Sequence, residues 1–194
     1  MKRLFKNNAM TFLEMAVSMV IFSIIVASIF TAIYTGRLYW RVGSSQLDVQ
    51  QQARQALSFM YKELQQSRSG TGQLCSGCSA VAIIEGLPAD DNVHTSVTFR
   101  IPHDNNGDGA VLDSSGYVVE WSDKITYSLN NEQIIRSTNT GSTKVLANKI
   151  NSLQFIRNSG APRLITIIIT ARKIIEGTSE PVEYTLRSMV QLRN

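Results

Sequence analysis

The sequence predicts an α+β protein: one long N-terminal α-helix, half transmembrane and half packed on a domain, followed by an antiparallel β-sheet. Three observations lead there. No charged residue occurs from Met15 to Gly36. A helical apolar stripe then continues to Leu64. Beyond residue 90 the chain falls into short alternating segments rich in β-branched residues, separated by turn-forming residues.

The 22 uncharged residues of the first stretch, at 1.5 Å each, make a helix of roughly 33 Å, enough for a bilayer core of roughly 30 Å. Lys2, Arg3 and Lys6 precede it, and the positive-inside rule keeps that end in the cytoplasm and sends the rest outward. A cleaved secretory signal fits poorly. Its cleavage site follows the apolar region as a small-residue pattern, whereas this chain continues into "TAIYTGRLYWRVG". A plain signal anchor accounts for the length but leaves Glu14 unexplained. A carboxylate at the mouth of a membrane segment is costly and marks a functional position by default.

Past Gly36, the residues Tyr39, Val42, Val49, Ala53, Ala56, Met60 and Leu64 recur at steps of three, four or seven, the period of an amphipathic helix. Gln46 falls within the stripe and weakens it; Leu47 and Leu57 sit beside it and widen it. Gly36 and Gly43 are candidate bends. The Gly/Ser-rich "SRSGTGQ", residues 67–73, ends the helix after about 55 residues.

The remainder reads as strands. "HTSVTFRI" alternates. "DKITYSL" and "EQIIRST" flank Asn130-Asn131, a hairpin turn. "KVLANKINSLQFI" is ambiguous, with Asn148 and Asn151 suggesting a break. "RLITIIITARKII", Arg163–Ile175, reads as a buried strand. Val182, Tyr184, Leu186, Val190 and Leu192 share one face of a last strand, which makes a final hairpin with it. No internal repeat occurs. The formal charge of +4 includes the three leader cations, and no basic run interleaves with aromatics, so no nucleic-acid contact is expected.

The first 40 residues resemble the leader and helix of type IV pilins and type II secretion pseudopilins. In that family a short basic leader ends in a small residue, and an apolar helix follows with glutamate as its fifth mature residue. Here residues 1–9 correspond to the leader, cleavage falls between Ala9 and Met10, and Glu14 takes the fifth place. Ala9 stands where the family prefers Gly, and Met10 where Phe is commonest. The resemblance implies a pilin-like fold: residues 10–36 as transmembrane and assembly helix, 37–66 as the amphipathic half of the spine, and 67–194 as a globular antiparallel β domain. It implies methylation at Met10 and pairing of Glu14 with a neighbour's N-terminal ammonium, which sets the register of assembly. The implied partners are a prepilin peptidase, other minor and major pilins or pseudopilins, an inner-membrane assembly platform, and the lipid bilayer before assembly. The implied location is the inner membrane, single pass, with a periplasmic C-terminal domain, and then a filament. The size, the helix "LDVQQQARQALSFMYKELQQS" and the segment from Ile125 to Phe155 resemble the larger minor subunits, J-type in secretion and W-type in pilus assembly.

Three further features bear chemistry. Cys75 and Cys78, the two cysteines, read most simply as a short-loop disulfide outside the cytoplasm. Free structural thiols are the next reading, and a catalytic or metal pair the last. "DNNGDGAVLD" opens like a calcium loop, with Asp104, Asn106 and Asp108 at positions one, three and five and Gly109 at the turn. The twelfth position is Ser115, where a bidentate Glu belongs; Asp113 is the nearby substitute. A hydrophilic turn is the plain alternative. Calcium is therefore a candidate ligand, and no cofactor is required. His94 and His103 belong to no catalytic motif, and neither G-x-S-x-G nor H-E-x-x-H occurs. No enzymatic activity is expected. The competing class is a membrane-anchored extracytoplasmic enzyme or binding protein with an uncleaved anchor.

Overall fold

The computed structural model describes residues 11–68, 71–73, 80–111, 118, 120–175 and 181–193. Among the described residues, one helix, α1 (Phe12–Gln66), is followed by eleven strands: β1 (Thr71–Gln73), β2 (Ala80–Ala82), β3 (Ile84–Glu85), β4 (Val93–His94), β5 (Ser96–Phe99), β6 (Ile125–Asn130), β7 (Gln133–Thr138), β8 (Thr143–Ala147), β9 (Ile150–Arg157), β10 (Leu164–Lys173) and β11 (Val182–Gln191). The fold is the expected α+β arrangement of a long N-terminal helix and antiparallel sheets. It divides into two compact units, Met1–Ser44 and Ser45–Asn194.

In the first unit, α1 carries a stretch long and apolar enough to cross a membrane. Its apolar side chains are exposed, among them Phe22, Ile24 and Phe30. The helix passes Gly36 and Gly43 without interruption. All five Ser and Thr hydroxyls between Met15 and Gly36 donate to the carbonyl one turn back. Ser18 Oγ lies 2.7 Å from Glu14 O, Ser23 Oγ 2.7 Å from Met19 O and Ser28 Oγ 2.8 Å from Ile24 O. Thr31 Oγ1 lies 2.9 Å from Ala27 O and Thr35 Oγ1 2.8 Å from Thr31 O. In hydrocarbon, where water supplies no partner, this back-bonding satisfies each hydroxyl within its own helix.

In the second unit, α1 buries Ser45, Val49, Ala53, Ala56, Met60 and Leu64. The buried stripe thus begins four residues before Val49 at a serine. Tyr39 and Leu47 are exposed, and Gln46 points away from the buried face. Two sheets share one core with this face. The four-stranded sheet runs β11-β10-β9-β4, the five-stranded sheet β3-β5-β6-β7-β8, and β1 pairs with β2 apart from both. Val97, Phe99, Ile125, Tyr127 and Ile134 enter the core from the larger sheet, and Leu153, Phe155, Ile165, Ile167 and Ile169 from the smaller.

The chain changes sheets where a residue between strands breaks the ladder. The predicted strand of residues 94–101 divides at Thr95: β4 joins the four-stranded sheet and β5 the five-stranded one. The ambiguous segment resolves the same way, with β8 and β9 in different sheets. Its break is Asn148–Lys149, and Lys149 takes a φ of 62°. Asn151 lies inside β9.

The hairpin turn lies one residue later than predicted. Asn130 pairs with Gln133, so Asn131 and Glu132 form the loop, both with positive φ, 47° and 58°. A two-residue loop of this kind follows the twist of its strands. Glu132 tolerates that backbone less well than Asn or Gly, and its carbonyl accepts Ile150 N–H at 2.9 Å, which holds it there. The apolar run of β10 is buried on one face only: Ile165, Ile167, Ile169 and Ala171 point to the core, while Thr166 and Ile168 are half-buried opposite. In β11, Val190 is buried, with Val182, Tyr184 and Leu186 half-buried on the same face as expected.

Candidate functional site

At the start of α1, Thr11 and Glu14 bond reciprocally. Thr11 N–H donates to Glu14 Oε2 at 2.8 Å and Thr11 Oγ1 to the same oxygen at 3.1 Å, while Glu14 N–H lies 3.3 Å from Thr11 Oγ1. This is a capping box, in which the N-cap Thr and the Glu three residues on satisfy each other's orphan N–H groups. Its signal was present in the sequence as "TFLE". The Glu14 side chain is solvent-exposed here. Ala9 and Met10, the expected cleavage and methylation positions, lie outside the described residues, as do Cys75, Cys78 and Asp113.

The acidic loop folds as a set of side-chain-to-backbone turns. Asp104 Oδ1 accepts Gly107 N–H at 2.7 Å and Oδ2 accepts Gly109 N–H at 2.8 Å. Those bonds, Gly109 first and Gly107 next, hold the Asp104 carboxyl below the usual aspartate range. Asn106 Oδ1 accepts Asp108 N–H at 2.8 Å, and Asp108 Oδ1 accepts Ala110 N–H at 2.7 Å. Gly107 and Gly109 stand at φ 78° and 80°, a conformation that favours glycine. Glu120, absent from the sequence motif, closes the loop. Its Oε2 accepts Asn105 N–H at 2.8 Å and its Oε1 accepts Asn106 Nδ2–H at 2.6 Å. Among the described residues no group of three or more His, Cys, Asp or Glu side chains is arranged to hold a metal ion. His94 Nε2 lies 3.1 Å from Asp90 Oδ1. His103 stands apart at the mouth of a cleft lined also by Arg100 and Trp121.

Two charged clusters fix the sheets to α1, and no local spacing in the sequence pairs their members. Glu63 receives Arg136 Nε at 3.1 Å on both carboxylate oxygens and also accepts the Tyr127 hydroxyl proton. Tyr127 is fully buried. Burial first, and then the hydrogen bond to Glu63, push its phenol well above the ordinary value. Burial works against the Arg136 cation, but the bond to Glu63 and its charge outweigh it, and the guanidinium ends above its ordinary value. Nearer the start of the buried stripe, Asp48 Oδ2 accepts Lys149 Nζ at 2.5 Å and Lys173 Nζ at 3.1 Å. The bond to Lys149 is the larger cause of its lowered carboxyl value, and partial burial opposes it.

No family model matches the chain, and neither a characterised protein nor a solved structure matches it.

Proposed function

We propose that the chain is a minor pilin or pseudopilin: a structural subunit that assembles into, or primes, a type IV pilus or a type II secretion pseudopilus. On this reading a prepilin peptidase removes residues 1–9 and Met10 is methylated. The helix then leaves the inner membrane for a filament of other minor and major subunits at an assembly platform, with the β domain on the periplasmic side.

The observation that carries the reading is Glu14. It is the single acidic residue before Asp48, it stands five residues after a small-residue junction, and it opens a helix whose Ser and Thr hydroxyls between Met15 and Gly36 are all satisfied internally. A membrane anchor has no requirement for a carboxylate there. A filament does, because an ammonium carried by the next subunit's first residue has to be neutralised where bulk water is absent.

The capping box favours a second reading, since it gives Glu14 a local task that an uncleaved anchor of an extracytoplasmic binding protein or enzyme could use. Intact mass of the membrane-extracted protein separates the two. Loss of residues 1–9 supports the subunit reading, and a full-length mass supports the anchor. Glu14→Ala and Thr11→Ala then separate capping from assembly. Both weaken the cap, but only Glu14→Ala removes the carboxylate. Incorporation lost in Glu14→Ala and retained in Thr11→Ala is the expected result; equal loss in both returns Glu14 to a helix cap.

A further inference from the structure

The two larger sheets end in β11 and β4 and in β3 and β8. Three of these edges are poor templates for another chain. β3 and β4 are two residues each. β8 is short, shifts register against β7 at Ile134/Ile135, and carries Lys144, whose Nζ lies 4.7 Å over the Phe59 ring. Short strands, bulges and lysines are the usual guards of a sheet edge. β11 has none of them. It runs ten residues without a register shift, and among the described residues no strand lies beyond it.

The side to which each backbone group of β11 points follows from one bond. Leu192 N–H donates to Arg163 O at 2.8 Å, continuing the register that sets Leu164 opposite Gln191. Backbone groups alternate sides along an antiparallel strand, so the even-numbered residues of β11 bond to β10 and the odd-numbered ones face outward. Arg193 agrees: its N–H turns away from β10 and donates to Ser67 O at 2.9 Å. Glu183, Thr185, Arg187, Met189 and Gln191 direct their N–H and C=O groups the same way. Among the described residues no backbone partner meets them there.

The side chains specify what pairs with this edge. Glu183 and Arg187 lie symmetrically about Thr185. When β11 meets β11 of a second copy, antiparallel and centred on Thr185, each Glu183 stands opposite an Arg187. A pairing centred on Arg187 sets like charges together, and one centred on Leu186 sets Glu183 opposite Met189. Opposite charges across strands are favourable and like charges are not. Both groups are open to a new partner. Arg187 is exposed and among the described residues forms no ion pair. Glu183 Oε1 lies 3.5 Å from Arg172 Nε, with both side chains about half exposed. The core face favours the same register. Tyr184 and Leu186 pack on the core yet are only half-buried, and the register sets each Tyr184 opposite a Leu186 at a closely spaced position. Pro181, which has no N–H, ends the ladder.

We infer that β11 is a self-association edge, at which two copies of the chain pair antiparallel about Thr185. Residues 183, 185 and 187 then exchange about six backbone hydrogen bonds, two for each opposed pair. The association is weak, because a single strand buries less than a stable interface does. It does not depend on whether the chain is a filament subunit.

Amide hydrogen exchange of the full chain in mild detergent micelles, read residue by residue, tests the pairing. Between about 10 μM and about 1 mM protein, the Thr185 and Arg187 amides should slow at least about threefold as mass action populates the pair. Gln191, past the ladder, should keep its rate. Arg187→Glu and Glu183→Arg each turn both attractions into repulsions and should weaken the association at least about fivefold. Mixed in equal amounts, the two variants again set arginines opposite glutamates. Protection of Thr185 should then return, a recovery that misfolded variants do not produce. Exchange at Thr185 that is independent of concentration overturns the inference, as does association that ignores the swaps, which would run through the apolar half of α1 instead. Protection at Gln191 equal to that at Thr185, or no recovery in the mixture, overturns the register. A capped, uncharged Val-Thr-Val-Thr-Val peptide that protects Thr185 as well as a second copy does would make β11 a general strand acceptor and overturn self-recognition.

Discussion

Removing Glu63 should cost more stability than removing any other charge described on α1. Its carboxylate accepts from Arg136 Nε at 3.1 Å through both oxygens and from the Tyr127 hydroxyl. In Glu63→Ala the fully buried Tyr127 hydroxyl loses its acceptor, a penalty of about 1–3 kcal/mol. Arg136 loses its counter-charge with only 20% of its side chain exposed. A fully buried broken pair costs about 3–5 kcal/mol, and partial exposure places this one at the lower end. The two penalties share one carboxylate and do not add fully, so the total is about 3–4 kcal/mol. For a domain of this size that lowers the melting midpoint by roughly 6–15 °C. Glu63→Gln keeps an oxygen for Tyr127 and should lose about half as much. Glu63→Met combined with Arg136→Met should lose less than the two single changes summed, because neither charge is left stranded. The assay is urea and thermal unfolding of the full chain in mild detergent, followed by near-ultraviolet circular dichroism and Trp121 fluorescence in a Trp40→Phe background. A loss below about 1 kcal/mol in Glu63→Ala would refute the reasoning.

Tyr127 sets an alkaline limit. Its folded value lies above the ordinary 10.0, so its contribution is complete below pH 10.0 and is lost as pH rises beyond it, where the unfolded phenol ionises first. Tyr127→Phe should flatten the fall of the melting midpoint above pH 10.0; an unchanged slope there argues against the assignment. Asp48→Asn should cost about 0.5–1 kcal/mol, since Lys149, Lys173 and Asp48 are each about a third exposed. Because the Asp48 value is lowered, that difference from the parent should be full above pH 3.8 and shrink as pH falls through the folded value, as acid unfolding curves of the two proteins would reveal. In the acidic loop, Asp104→Ala should speed amide exchange at Gly107 and Gly109, whose N–H groups it accepts, while leaving the core amides unchanged. Exchange at those two glycines as slow as in the parent would mean that other groups hold the turn. Calcium held by Asp104, Asn106 and Asp108 requires a higher melting midpoint at millimolar calcium than with chelator, by mass action, and loss of that rise in Asp108→Ala.

The parts of this molecule legible in the sequence are those governed by period. The uncharged run, the 3.6-residue stripe from Val49 to Leu64 and the alternation of β10 and β11 each repeat a local rule many times, so single exceptions do not hide them. Tyr39 fits that period and Leu47 borders it, yet both lie exposed, because a stripe says which side of a helix is apolar and not which part of that side is covered. Ser45 is buried there instead, a position that hydropathy alone assigns to solvent. The sheet changes at Thr95 and at Asn148–Lys149 leave no periodic trace either. Each is one or two residues that end one ladder, and the β4–β9 pairing joins strands more than sixty residues apart, Val93 opposite Ile156. The charged clusters were illegible for the same reason. Glu63 and Arg136 are 73 residues apart and Asp48 and Lys173 are 125 apart, so no local spacing joins them. The capping box at Thr11 and Glu14 was different, because its four-residue signal was in plain view. The apolar run drew attention to what a carboxylate costs at a membrane's edge, and away from what it does for the first turn of a helix. These two roles need not compete. A carboxylate that caps its own helix has its acceptor oxygens already oriented at the helix start. Under the filament reading proposed above, exchange of the neutral Thr11 N–H for a neighbour's ammonium would keep the carboxylate hydrogen-bonded and supply the counter-charge that the cap alone lacks.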